Sequence, residues 1–283
     1  MVSGLILFNK HPGITSFDAL RDIKRALGTG KVGHTGTLDK FASGLLIVLV
    51  GKALKLSRWF TNCDKKYEGR IYFGAETDTL DPEGKTIAQA GEPSRADVEK
   101  VLNLFRGEIM QAPPAYSAIH INGKRASSLA RSGAAVEMKK RPVTVYSLEL
   151  LSWEPPFADI FVHCSSGTYI RSLARDIALA AGSRAHLCAL KRTQVAGFKL
   201  ETENNAPVNI SKSVIAALGM PCFEVSEREA DDILHGKALD NILWSRQLPE
   251  PQRTAAVFCG DNLVAVVENN GAGWKYGCVM FGA

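Results

Sequence analysis

Asp39 lies in the run Gly33-His34-Thr35-Gly36-Thr37-Leu38-Asp39, followed by Lys40-Phe41-Ala42-Ser43-Gly44-Leu45-Leu46. Two glycines, two threonines and a lone carboxylate, set between an amphipathic stretch and an apolar run, make a backbone-exposed loop, the usual place for chemistry on a rigid scaffold. A carboxylate projecting from such a loop can serve as a nucleophile, dividing one hard step into easier ones, or can stabilise developing positive charge. An aspartate in a turn also commonly does no more than bond its own backbone, so the loop alone leaves both readings open. The adjoining Gly28-Thr29-Gly30-Lys31-Val32-Gly33 matches G-x-G-x-x-G. That fingerprint must follow a strand and open a helix, whereas here a helix precedes it. The Gly28 to Gly33 run carries no Gly-Lys-Ser or Gly-Lys-Thr to make it a P-loop, so no nucleotide cofactor is expected. The six cysteines, at 63, 164, 188, 222, 259 and 278, form no CxxC pair, and His163 and His186 do not complete a zinc pattern. They read as reduced thiols, and no metal is expected.

The elements that must position this loop follow from periodicity. Leu5 to Phe8 reads as a short buried strand, followed by a turn at Pro12-Gly13 and a helix start at Thr15 or Ser16. Phe17, Leu20, Ile23 and Leu27 share one helical face and Gly28 is placed to end the helix. Leu45 to Val50, an apolar run rich in branched side chains, fits a central strand. Lys66 to Gly74 alternates around Tyr67, Ile71 and Phe73 as a further strand. Ser94 is a good N-cap for a helix whose apolar face is Val98, Val101, Leu102 and Phe105. Pro142 to Leu151 and Asp159 to Ser165 read as strands separated by Pro155-Pro156. Thr168 is expected to cap a helix that turns Ile170, Leu173, Ala174 and Ile177 inward and closes at Gly182. The irregular alternation of strands and helices points to an α+β fold, a mixed and largely antiparallel sheet with flanking helices. Glu203-Asn204-Asn205-Ala206-Pro207 looks like a linker. Short strands near Ala255 to Val267 and Trp274 to Phe281 suggest a small C-terminal β-rich domain. The expected division is 1–202 and 203–283.

At 283 residues, 46% hydrophobic and 22% charged, the chain has the composition of a folded globular protein. Its net charge of +5 is unevenly spread: residues 1–75 carry 12 Lys+Arg against 5 Asp+Glu, and the rest 22 against 24. A second basic zone, Lys124, Arg125, Arg131, Lys139, Lys140 and Arg141, is opposed between Ile121 and Tyr146 only by Glu137. Two basic zones suit a polyanionic partner, because phosphate contacts draw on Lys and Arg and release counterions; a solvated surface explains charge alone equally well. Met1 to Asn9 lacks the basic start and cleavage site of a signal peptide, and no apolar stretch reaches the roughly 18–20 residues of a membrane span. A cytoplasmic protein is expected.

The run Gly33 to Leu46 closely resembles the signature loop of the TruB family of tRNA pseudouridine synthases, G-H-T-G-T/A-L-D-P-x-A-S/T-G-L-L. Further blocks follow in family order: Lys66-Tyr67-Glu68 with Gly74, Thr77-Asp78-Thr79, Asp81 and Gly84; then Ala112-Pro113-Pro114-Ala115-Tyr116-Ser117-Ala118 with Asn122-Gly123-Lys124-Arg125. Cys164 to Leu173 and Leu190-Lys191-Arg192-Thr193 complete them. Together they cover about Leu5 to Phe198. Lys40 stands where the family has proline, His120 where lysine is common, and Asn9-Lys10-His11-Pro12-Gly13 departs from the customary D-K-P-x-G.

The resemblance implies a pseudouridine-synthase-like fold and isomerisation of uridine to pseudouridine at position 55 in the T-arm of tRNA, on a flipped-out base, without cofactor or metal. It implies Asp39 as the catalytic carboxylate, Arg171 as its cationic partner, Tyr67 as the ring stacking on the extruded base and a candidate for assisting proton transfer, Tyr169 and Leu190 as pocket walls, and His34 as an RNA contact filling space left by displaced bases. The C-terminal unit becomes a candidate RNA-binding domain. Arg171 has independent support. It would sit near a helix N-terminus, where the macrodipole disfavours a cation, and Ala174 and Arg175, three and four residues on, offer it no ion pair. A catalytically silent RNA-binding protein is the main alternative, against which stand the intact Asp39, Tyr67 and Arg171; a nucleotide-dependent enzyme using Gly28 to Gly33 is the other.

Overall fold

The computed structural model describes residues 2–121, 123–133, 137–202, 204, 206–243, 246–249, 251–271 and 273–280. Asn122 of the third block, Glu203 and Asn205 of the linker, and Phe281 lie outside the described residues.

Strand β1 (Gly4–Lys10) pairs antiparallel along its whole length with β2 (Ser43–Val50), and between them in sequence runs helix α1 (Ser16–Leu27). The unbroken apolar run of β2 has a direct explanation, since both of its faces are covered. Leu46, Val48 and Val50 join one core cluster, while Leu45, Ile47 and Leu49 join a second on the other side. The remaining long strands are β3 (Lys65–Phe73), β4 (Gly107–Gln111), β5 (Arg141–Glu154), β6 (Phe157–Cys164) and β7 (Ala185–Val195), and the sheet order is β1-β2-β7-β3-β6-β5-β4. Short strands Val32–His34 and Phe198–Lys199 bring it to nine. Among the described residues every pairing in this sheet is antiparallel except β2 with β7, where Ser43 and Gly44 lie beside Lys191 and Arg192. The expected mixed, largely antiparallel sheet is therefore found.

Helix α1, helix α2 (Arg95–Leu102) and helix α3 (Ile170–Ala180) pack on one face of this sheet through Leu20, Val98, Leu173 and Ile177 against Ile71, Ile160 and Leu187. Thr15 and Ser94 cap α1 and α2 as capping boxes with Asp18 and Asp97. Beyond them a second sheet is built from β8 (Cys222–Glu224), β9 (Thr254–Cys259), β10 (Asn262–Asn269) and β11 (Trp274–Val279), with helix α4 (Glu227–Leu234) against it. Val257, Ala265 and Val267 belong to a core within this sheet's own unit, whereas Ala256, Phe258 and Val266 pack with Leu5, Ile47 and Phe60 of the first. An Arg58–Glu268 ion pair and a Lys55 ammonium 2.7 Å from the Val279 carbonyl tie the two at the surface.

Several expectations are corrected. Phe17 does not face the core: it is 67% exposed, with Lys24 5.7 Å over its ring. It lies roughly 100° round the helix from the centre of the Ser16–Leu20–Ile23 stripe that is turned inward. Thr168 does not cap α3. Tyr169 is the N-cap residue and the Thr168 hydroxyl donates to Ser165 O at 3.0 Å, so the turn before the helix uses it instead. Strands β4 and β7 were not expected. In β7 the alternation is interrupted by register shifts between Leu187 and Ala189 and between Arg192 and Gln194, and such bulges erase the period-two signal.

Because Phe60 is fully buried where the two sheets share a core, Phe60→Ala should cost about 3–5 kcal/mol. It should lower a single melting transition common to both sheets. Calorimetry that shows only the C-terminal sheet melting early in the variant contradicts the shared core.

Candidate active site

The loop between α1 and β2 is fastened along its length. Val32–His34 pairs with Val48–Val50, and the Thr35 amide donates to Ile47 O at 3.0 Å. Ser16, fully enclosed at the start of α1, uses its hydroxyl twice, accepting from Leu38 N–H at 2.9 Å and donating to Leu38 O at 3.1 Å. The Leu38 side chain is itself an anchor in the first core. On the far side Gly13 N–H donates to Lys40 O at 2.8 Å, and Ala42 N–H to Asp39 O at 3.1 Å. Gly44 has φ +99, and a Cβ there would lie 2.3 Å from Arg192 O. Only glycine allows β2 to meet β7 at that point. Held from both ends, the loop turns the Asp39 side chain outward with 36% of it exposed.

Arg171, in the first turn of α3, meets it from the other side. Its Nη2 donates to Asp39 Oδ1 at 3.1 Å, and Nε lies 2.9 Å from Oδ2 without hydrogen-bond alignment. The rest of the guanidinium is also engaged: Nη1 donates to Asp81 Oδ2 at 3.0 Å and to Thr79 O at 2.7 Å, and Nη2 to Tyr116 O at 3.1 Å. Asp81 is 5% exposed and its other oxygen accepts from Thr79 Oγ1 at 2.6 Å and Glu83 N–H at 3.1 Å. A cation at a buried helix N-terminus is disfavoured by the macrodipole. Two carboxylates offset it here.

Burial pushes the Asp39 carboxyl above its ordinary value; Arg171 pulls it down, and Asp81 and Glu83 push it further up. Behind the loop, Lys10 is completely buried. Its ammonium donates to Ile14 O at 2.7 Å, His11 O at 3.0 Å and Lys40 O at 3.4 Å. Burial lowers its pKa and Asp39 raises it.

Tyr67, on β3, is 8% exposed and lies in register with Arg192 of β7 and Val162 of β6. Burial pushes its hydroxyl up, while Arg192 opposes that by charge and hydrogen bonding and Asp39 adds to it. Arg192 is 3% exposed, and its Nε and Nη2 donate to Leu45 O at 2.7 Å and Gly36 O at 3.0 Å. It therefore links Tyr67, β2 and the Asp39 loop. His34 has a buried Nδ1 with no partner among the described residues, and burial together with Arg192 lowers its pKa. Leu190 packs in the same cluster as Tyr67 and Leu38, and also borders a concavity of about 600 Å³ with Phe41 and Lys191. The Tyr169 ring lies 5.2 Å from the Arg141 guanidinium, and its backbone N–H donates to Gln111 Oε1 at 2.8 Å.

The structure thus brings Asp39, Arg171 and Tyr67 into one neighbourhood, joins His34 to it through Arg192, and sets Leu190 and Tyr169 at its margins. Sequence reasoning singled out neither Asp81, Arg192 nor Lys10 as functional. Asp81 and Arg192 fell within the quoted blocks, yet a buried charge gives no periodic signal. Among the described residues no group of three or more His, Cys, Asp or Glu is arranged to hold a metal ion.

A carboxylate clamped by a guanidinium on a half-exposed loop can serve as a nucleophile or stabilise developing positive charge. The sequence profile of the TruB family pseudouridylate synthase (N terminal domain) matches residues 24–170. The chain belongs to the TruB family of pseudouridylate synthases. The tRNA pseudouridine synthase B of Borreliella burgdorferi is 46% identical to it over 228 residues, 79% of this chain and 80% of that protein. The tRNA pseudouridine synthase B of Treponema denticola is 43% identical over 90% of this chain and 79% of its own. A chain in the crystal structure of a Cbf5-Nop10-Gar1 complex superposes with a TM-score of 0.73 at 24% identity, covering 98% of this chain and 85% of that one. That likeness is one of fold.

A raised carboxyl pKa means that, above the ordinary value, the folded state keeps a proton the unfolded state has released, so stability contributed here declines as pH rises through that window. Carbon-13 NMR of Asp39 should show a midpoint above about 4, the ordinary aspartate value, moving up in Arg171→Met and down in Asp81→Asn. A wild-type midpoint below that value contradicts the burial reading.

Proposed function

We propose that this enzyme isomerises uridine 55 in the T-arm of tRNA to pseudouridine, with Asp39 as the catalytic carboxylate. The observation that carries the proposal is the Asp39–Arg171 contact on a half-open loop, 2.9 Å at its shortest. The reaction breaks the N1–C1′ bond, rotates the base and joins C5 to C1′; N1 gains a proton and C5 loses one, so nothing is added or removed overall. Asp39 acts as nucleophile toward the nucleoside or as counter-charge to C1′. Its lowered access to water strengthens either role, and Arg171 opposes the drift toward the neutral acid that burial causes.

A base stacked inside folded RNA must be extruded before a side chain can reach it, and an aromatic ring offers the replacement surface. Tyr67 is assigned that part. Its hydroxyl beside Arg192 also makes it the candidate for assisting the proton shift at C5. Leu190 and Tyr169 are assigned to the walls and His34 to the RNA. No nucleotide cofactor is invoked.

Residues 1–202 are taken as the catalytic unit and 203–283 as an appended one. The first carries 28 Lys+Arg against 19 Asp+Glu, and the second 6 against 10. Phosphate contacts of the T-arm are therefore assigned to the basic stretches of the first unit, since an acidic surface repels RNA. No helix among the described residues is long and apolar enough to cross a membrane. A cytoplasmic location is part of the proposal, because the proposed substrate is tRNA.

Asp39→Asn should abolish pseudouridine formation in unmodified tRNA while leaving affinity for a T-arm stem-loop within a few-fold of wild type. Mapping pseudouridine by position in tRNA treated with the purified protein is the check. A fully active variant removes Asp39 from the mechanism, and modification at another position overturns the site of action.

A further inference from the structure

Lys40 follows Asp39 directly, and its main chain and side chain serve different ends. The carbonyl is held by Gly13 N–H and the Lys10 ammonium. The side chain runs outward, 53% exposed, and its Nζ lies 3.4 Å from Oε1 of Glu83, which is 47% exposed. An ion pair this open to water is weak and exchanges readily for a better anion.

The surroundings are anionic. Asp81 and Glu83 both act electrostatically on Asp39, and Lys40 acts on Asp18 at the start of α1. The neighbouring cations Arg171 and Lys10 are 5% and 0% exposed, committed to carboxylates and carbonyls respectively. A nucleotide cannot bring its C1′ to Asp39 without bringing its own phosphates to the same carboxylate-rich rim. Lys40 places an exposed cation at that rim.

We propose that Lys40 is a substrate-gripping residue: it leaves Glu83 and pairs with a backbone phosphate beside the nucleotide presented to Asp39. This rests on RNA being the substrate, as argued above. Glu83 is then the internal competitor that holds the lysine in the free enzyme, and phosphate displaces it because the Glu83 pair, 3.4 Å long and open to water, is weak.

The test measures binding of a T-arm stem-loop RNA to the full chain across a salt series, together with KM and maximal rate, for wild type, Lys40→Ala, Lys40→Arg and Glu83→Gln. Loss of one phosphate contact should weaken binding by about 3- to 10-fold at low salt and flatten the plot of log affinity against log salt by about 0.7–0.9. In Lys40→Ala the KM should rise far more than the maximal rate falls. Lys40→Arg should restore both affinity and slope, and Glu83→Gln should bind more tightly than wild type. Unchanged affinity and slope in Lys40→Ala overturn the proposal. So does weaker binding with the wild-type slope that arginine fails to rescue, since that pattern marks a change of loop shape. If wild type itself does not bind the stem-loop, the reading of RNA as substrate fails first; if it binds and Lys40→Ala matches it, only the role of Lys40 is lost.

Discussion

A guanidinium buried between two carboxylates holds the site together. The Arg171 guanidinium is 5% exposed, so its charge must be answered where it lies. The fork reaches Asp39 with one edge and Asp81 with the other, while Thr79 and Tyr116 carbonyls take remaining N–H groups. This ties the Asp39 loop, the segment around Asp81 and the start of α3 to a single planar group. The arrangement leaves the trio with one excess negative charge, and the buried Lys10 behind the loop partly offsets it. Asp39 is thus held between burial and a second carboxylate, which favour the acid, and two cations, which favour the anion.

The sheet provides the rigidity that this balance needs. Strand β2 is sandwiched between two cores, and the loop before it is sewn to α1 through Ser16 and to β1 through Lys10. Arg192 connects β7 to the same loop and faces Tyr67 across one rung of the sheet. Displacement of Asp39 relative to Tyr67 would disturb hydrogen bonds in several strands at once. That is the physical meaning of placing the proposed catalytic carboxylate on a loop and the tyrosine proposed to stack on the base on a central strand.

The C-terminal sheet enters through packing. Phe258 and Val266 complete a core that Leu5, Ile47 and Phe60 would otherwise leave open to water. Its acidic balance and its contact with the sheet's rear cluster suit a brace for β1 and β2 more than a surface for phosphate.

Local signals in the chain determined a good deal. Alternation around Tyr67, Ile71 and Phe73, the capping boxes at Thr15 and Ser94, and the two-faced apolar run of β2 all act within a few residues, and those elements form where they were expected. The Asp39 loop was legible for the same reason, as were the family blocks that pointed to Arg171. What tertiary structure decided was whatever depends on partners far away in sequence. Phe17 turned outward because the helix stripe is centred elsewhere, and β7 formed although bulges blurred its alternation. Lys10, Asp81 and Arg192 became buried charges, a state no composition announces, because each depends on a partner far off in sequence: Lys40 O for Lys10, the Arg171 guanidinium for Asp81, and Leu45 O and Gly36 O for Arg192. A side chain's period can be read from its neighbours; its desolvation depends on the whole fold.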